Sequence, residues 1–173
     1  MKKIIFILCL LLTSFGVLAG EDCPSLSFSQ KVNMMKAYHY GETQMGKGWG
    51  ITLAAIAFQE SDLGMNVINK KTQDYGIFQN HLKTVVKRNK VSANYAKAKL
   101  LNDFDYAVKE THKELQFWAK VHGKNKGSVS LHKVLASYNG GYAYHKEAPQ
   151  KYSKEVFANM KVLATCELVN NLK

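Results

Sequence analysis

Proline is scarce in this 173-residue chain: Pro24 and Pro149 are the only two. Little therefore interrupts helical hydrogen bonding, because proline is the residue that removes a backbone donor and breaks helices. Arginine is scarcer still. Arg88 stands alone in a chain whose Lys and Arg total 24 against 13 Asp and Glu. Reading base edges in DNA relies on the planar arginine fork, so the composition argues against a nucleic-acid reader even though the chain is basic. Beyond the N-terminal residues no segment is apolar enough to span a membrane. The six histidines show no His-x-x-x-His or comparable ligand spacing, so a metal site is not expected and no cofactor is called for. Neither an internal repeat nor a low-complexity linker is present.

The first residues do form an apolar run. Met1-Lys2-Lys3 precedes Ile4 to Leu12, and Val17-Leu18-Ala19-Gly20 follows. A charged start, a short apolar centre and a small-residue exit read as a signal peptide over residues 1–19, with a retained anchor as the alternative. Cleavage would remove Lys2 and Lys3 and lower the formal net charge from +11 to +9. It would leave about 154 residues, 20–173, enough for one domain with its own core. On this reading the protein is exported, periplasmic or extracellular, and contacts membrane only through the leader. An anionic cell-wall polymer then suits its basic surface better than nucleic acid does.

Of three cysteines, Cys9 leaves with the leader. Cys23 and Cys166 remain, an even pair in an exported chain, and a disulfide is expected, with two free thiols as the alternative. A bond between them would close most of the chain into a loop and stabilise it by roughly 4–5 kcal/mol in the chain-entropy model.

Apolar residues recur at spacings of three and four, which predicts a mainly α, single-domain fold. Helices are predicted at Phe28 to Tyr40, Trp49 to Glu60, His81 to Asn89, Ala93 to Leu101, Asp103 to His122, Ser128 to Tyr138 and Pro149 to Asn170. Asn102 is the expected N-cap of the longest and Gly123 its stop. Any sheet is expected as a short hairpin between Asn66 and Phe78.

Three segments carry the candidate chemistry. Ile51 to Phe58 is apolar nearly all round and ends in Gln59-Glu60-Ser61-Asp62. A carboxyl at the end of a buried helix is desolvated, so its pKa rises and it can hold a proton near neutrality. The plainer alternative is that Glu60 faces solvent where the helix leaves the core. The second segment is Thr72-Gln73-Asp74-Tyr75-Gly76-Ile77-Phe78-Gln79-Asn80, and the third is Leu135-Ala136-Ser137-Tyr138-Asn139-Gly140-Gly141.

An apolar helix ending in Glu-Ser, then a Gly-apolar-apolar-Gln turn, then Ala-x-Tyr-Asn-x-Gly, in that order, resembles the three-motif signature of the lytic transglycosylases. The resemblance spans roughly Thr52 to Phe157. It implies a lysozyme-like helical fold of the goose type and cleavage of the MurNAc-β-1,4-GlcNAc bond of peptidoglycan glycan strands. Glu60 matches the single catalytic glutamate of that family, acting first as acid and then as base to leave a 1,6-anhydro end. Ser61 matches the residue after it, with a mainly structural role. Gln79 matches the glutamine lining the saccharide cleft, and Phe78 stands where many members have Met. Tyr138 and Asn139 match the Tyr-Asn pair near the acid. Tyr152 is similar to the tyrosine of a C-terminal helix that hydrogen-bonds the catalytic carboxyl.

The residues suit that chemistry on their own terms. Amides of Gln79 and Asn139 pair with acetamido groups, and Tyr75, Phe78, Tyr138, Tyr142 and Tyr144 offer flat faces for sugar rings. The run Asp74-Tyr75-Gly76-Ile77-Phe78-Gln79 is also similar to one in chicken-type lysozymes, where the aspartate serves as nucleophile or electrostatic partner. Asp74 is accordingly read either as a cap or turn residue or as the second carboxylate of a hydrolytic lysozyme. A third reading is a cell-wall binding or assembly module without catalysis. The small size resembles specialised, monomeric enzymes that serve secretion, conjugation or phage machinery.

Overall fold

The computed structural model describes residues 23–123 and 129–166. The expected leader, Ser128 as a helix start and Asn170 as a helix end all lie outside those residues. Among them run seven α-helices and three two-residue strands. They are α1 (Phe28–Tyr40), α2 (Trp49–Ser61), β1 (Ile68–Asn69), β2 (Asp74–Tyr75), β3 (Asn80–His81), α3 (Leu82–Asn89), α4 (Ala93–Asn102), α5 (Phe104–Gly123), α6 (Leu131–Gly140) and α7 (Glu147–Ala164). The mainly helical expectation therefore holds, and α1 has the bounds its periodicity predicts.

Helix α2 is the axis of the domain. Thr52 through Ala57 are buried without a break, which is why this helix is apolar on every side. It packs between α1 and α7, and α7 also packs on α6. At its start the Glu42 carboxylate accepts from the backbone N–H groups of Gly48 and Gly50 at 2.9 and 2.8 Å, satisfying donors that a helix beginning leaves open. Glu42 belongs to a π-helical turn, Gly41–Met45, that extends α1. Gly50 is required there by contact, since a Cβ would lie 2.6 Å from the Tyr38 carbonyl oxygen.

Two local expectations are corrected. Asn102 closes α4, and its amide bonds back to Ala98 O. Asp103 caps α5 instead, accepting from the N–H of Tyr106 at 3.0 Å, a better acceptor one residue further on. The hairpin becomes a three-stranded antiparallel sheet in the order β1-β2-β3, because the chain turns back after Gly76 and adds Asn80–His81 beyond the expected limit. Gly76 has φ +84, and a Cβ there would meet Leu100 O at 2.3 Å, so this turn tolerates only glycine.

The expected disulfide between Cys23 and Cys166 is formed, spanning 143 positions. It joins the residues before α1 to the end of α7. No helix of the described residues is long and apolar enough to cross a membrane.

Candidate active site

Glu60 sits in the last turn of α2, and the chain leaves that helix through three left-handed residues, Asp62, Leu63 and Gly64. Two of them carry side chains that resist this conformation, so the exit is held from outside. Gln30 of α1 donates to Asp62 O and Oδ1, and Asn33 donates to Leu63 O at 2.8 Å. Ser61 completes the clasp: its hydroxyl donates to Ile77 O at 2.7 Å and accepts from the N–H of Gly64 at 2.9 Å.

The glycine turn is held by the third segment in the same way. The Tyr138 hydroxyl donates to Phe78 O at 2.7 Å. Consecutive carbonyls, Ile77 and Phe78, thus receive hydroxyl groups from the two flanking segments. Asn80 anchors the turn to α5 through Ala107 O and Thr111. Gln79 lies at φ +46, a strained backbone of the sort found at ligand clamps, and its amide donates to Gly76 O and Asn66 O.

Glu60 is partly buried and borders two cavities. One, of about 540 Å³, is lined among others by Asp74, Gln79, His81, Trp118, Tyr138 and Asn139. The other, of about 600 Å³, is bounded by Asn66, Ile68, Asn69, Lys70 and again Glu60 and Gln79. Glu60 and Gln79 line both, so the two cavities adjoin at the carboxyl group and are taken as one groove.

Tyr152 of α7 donates to Glu60 Oε1 at 2.6 Å. The Glu60 pKa is raised from 4.5 to about 7. Desolvation by burial dominates, the negative charge of Asp74 adds to it, and the Tyr152 hydrogen bond opposes both. Tyr138 and Tyr152 are themselves pushed well up, by burial first and by the Glu60 charge second, so both remain protonated donors.

The structure thus brings Glu60, Asp74, Gln79, Tyr138, Asn139 and Tyr152 together and removes others from the groove surface. Phe78 is fully buried and packs on Phe104 at 5.8 Å between ring centroids. It cannot present a face to sugar, because the turn points its side chain into the core and only its carbonyl outward to Tyr138. Ser61 is buried with its hydroxyl fully engaged, so it offers nothing to a sugar. Tyr75 is buried as well, beneath the Lys97 ammonium at 5.0 Å. Tyr142 is exposed and meets Trp118 edge-on at 5.1 Å. The capping role for Asp74 finds no hydrogen bond among the described residues. Its carboxylate instead meets His81 Nδ1 at 3.0 Å.

Among the residues of the groove that were not anticipated are His81, Arg88, Glu114 and Trp118. Arg88 bridges Glu110 and Glu114, and Glu114 accepts from the Trp118 indole at 2.8 Å. The four-residue spacing of Glu114 and Trp118 on one helix face was the available signal. The approach of Arg88 from α3 had none.

With this geometry in view, the family comparison is decisive. The transglycosylase SLT domain family matches residues 38–160, well over half the chain and all of Glu60 to Tyr152. The chain belongs to that family. Comparison with curated proteins and with solved structures returned no match.

Proposed function

We propose that the protein is an exported peptidoglycan lytic transglycosylase with Glu60 as its one acid and base. The observation that carries this reading is a partly buried carboxyl, with a pKa raised to about 7, held by Tyr152 where two cavities meet. Such a group is protonated often enough near neutrality to donate, and ionised often enough to accept a proton back.

In the proposed step Glu60 gives its proton to the glycosidic oxygen as the bond to muramic C1 breaks. The N-acetylglucosamine side departs with a 4-hydroxyl. The muramic 6-hydroxyl then attacks C1 and returns its proton to Glu60, which leaves a 1,6-anhydro ring and consumes no water. Tyr152 steadies the carboxylate between these two transfers. Asn139 and Gln79 supply polar groups for acetamido substituents, and no described donor reaches Gln79 Oε1, which leaves an acceptor for a sugar N–H. Export fits the Cys23–Cys166 bond, since disulfides persist in oxidising compartments. A monomer acting for a secretion, conjugation or phage machine is the matching biological setting.

Asp74 in the same cavity favours a second reading, a hydrolytic lysozyme in which this carboxylate stabilises the sugar cation while water attacks. Digestion of purified peptidoglycan separates the two. Mass spectrometry is expected to find anhydromuramoyl ends; reducing ends alone would assign the enzyme to the hydrolases. Glu60→Gln is expected to abolish cleavage while the fold survives, and unchanged lysis would show that another group is the acid.

A further inference from the structure

The groove holds a carboxylate–imidazole pair to which the transglycosylation step above assigns no task, and whose imidazole neither reading uses. Asp74 and His81 are opposite each other in the β2–β3 register, where antiparallel neighbours lie about 5 Å apart at Cβ. His81 Nδ1 meets Asp74 Oδ1 at 3.0 Å. His81 also occupies the N-cap position of α3, yet makes no capping bond with its side chain. Serine, asparagine or aspartate would serve the helix better there. The imidazole is turned away from the helix it begins and toward the carboxylate across the sheet.

We propose that His81 is a positioning residue that holds the Asp74 carboxylate as a fixed negative charge in the groove beside Glu60. The inference rests on Glu60 being the acid. Either route of bond cleavage develops positive charge on the sugar ring, and an anion already fixed in place stabilises it without reorganisation. The same anion disfavours ionisation of Glu60, as its contribution to the raised pKa records. An untethered aspartate would do both less well. The other charged groups around the pair are Glu60 itself, Arg88 of α3 and Glu114 of α5 in the same cavity, Lys97 of α4 over the Tyr75 ring, and Lys70 beyond Glu60. Arg88 is engaged by Glu110 and Glu114, which leaves His81 as the partner of Asp74.

The test is a cycle of His81→Ser, Asp74→Asn and the double variant, assayed for pH–rate profile, turnover and half-saturation on soluble peptidoglycan fragments. Serine is the better helix cap, so His81→Ser is expected to melt no lower than the parent protein. Its turnover is nevertheless expected to fall roughly tenfold with little change in half-saturation, as when a catalytic group is misplaced. The alkaline limb should move to lower pH, the direction in which Asp74→Asn also moves it. Adding Asp74→Asn to His81→Ser should change neither quantity much further. Parental turnover and an unmoved limb in His81→Ser would overturn the proposal, as would fully additive effects in the double variant. Glu60→Gln run alongside separates the two levels: if that variant keeps cleaving, the assignment of the acid has failed, and if it is dead while His81→Ser is normal, only the role of His81 has.

Discussion

The Tyr152 hydroxyl donates a 2.6 Å hydrogen bond to Glu60 Oε1 across 92 positions of sequence. It links α7 directly to the candidate acid, and it favours the ionised form against the desolvation that favours the neutral one.

Removing that hydroxyl in Tyr152→Phe takes away the influence that lowers the Glu60 pKa. The pKa should rise further, so the alkaline limb of the rate on peptidoglycan moves to higher pH. Turnover at the optimum should fall by roughly ten- to a hundredfold, since the carboxyl is no longer oriented. A pH–rate profile of the two proteins checks both effects.

Glu60 is also a stability liability of predictable sign. Its folded pKa of about 7 lies above the 4.5 of an unperturbed glutamate, so its favourable contribution is complete below pH 4.5 and disappears as pH rises through about 7. At pH 8 ionisation of the buried carboxyl should cost about 3 kcal/mol, from 1.36 kcal/mol per unit. Glu60→Gln should therefore gain stability relative to the parent at pH 8 but not at pH 4. Urea unfolding at the two pH values measures the difference.

Arg88, the single arginine, faces Glu110, whose side chain is 1% exposed, and Glu114. Lys113 also reaches Glu110, at 2.5 Å. Replacing Arg88 by Met leaves Glu110 with Lys113 and Glu114 with the Trp118 indole as remaining partners and should cost about 1–3 kcal/mol. Lysine should recover only part of this, because it cannot bridge two carboxylates with a planar fork. Chemical denaturation of both variants gives the comparison.

Reduction of the Cys23–Cys166 bond should cost about 2–5 kcal/mol of stability. The groove residues make no use of the sulfurs, so activity below the new melting range should persist. Thermal melts and lysis assays with and without reductant test this together.

Much of the fold was legible because its determinants are local. Scarce proline, apolar spacings of three and four and the nearly all-apolar Ile51 to Phe58 stretch announce the helices. The candidate acid was legible for the same reason, as a carboxyl ending such a helix. What escaped depends on contacts distant in sequence. Phe78 looks like a sugar-facing aromatic until the Gly76 turn, pressed against Leu100 O, sends it into the core. Asp74 reads either as a cap or turn residue or as a second carboxylate, and only when β3 folds back is His81 set opposite it. Asn102 lost the cap to Asp103 because neighbouring acceptors compete, and composition does not rank them.

Helix α1 lends no side chain to the walls beside Glu60, yet Gln30 and Asn33 pin the left-handed exit that fixes how deep the carboxyl lies. Depth governs desolvation, and desolvation governs acidity. A change on α1, in a residue that lines neither cavity, would thus be felt as a retuned proton donor.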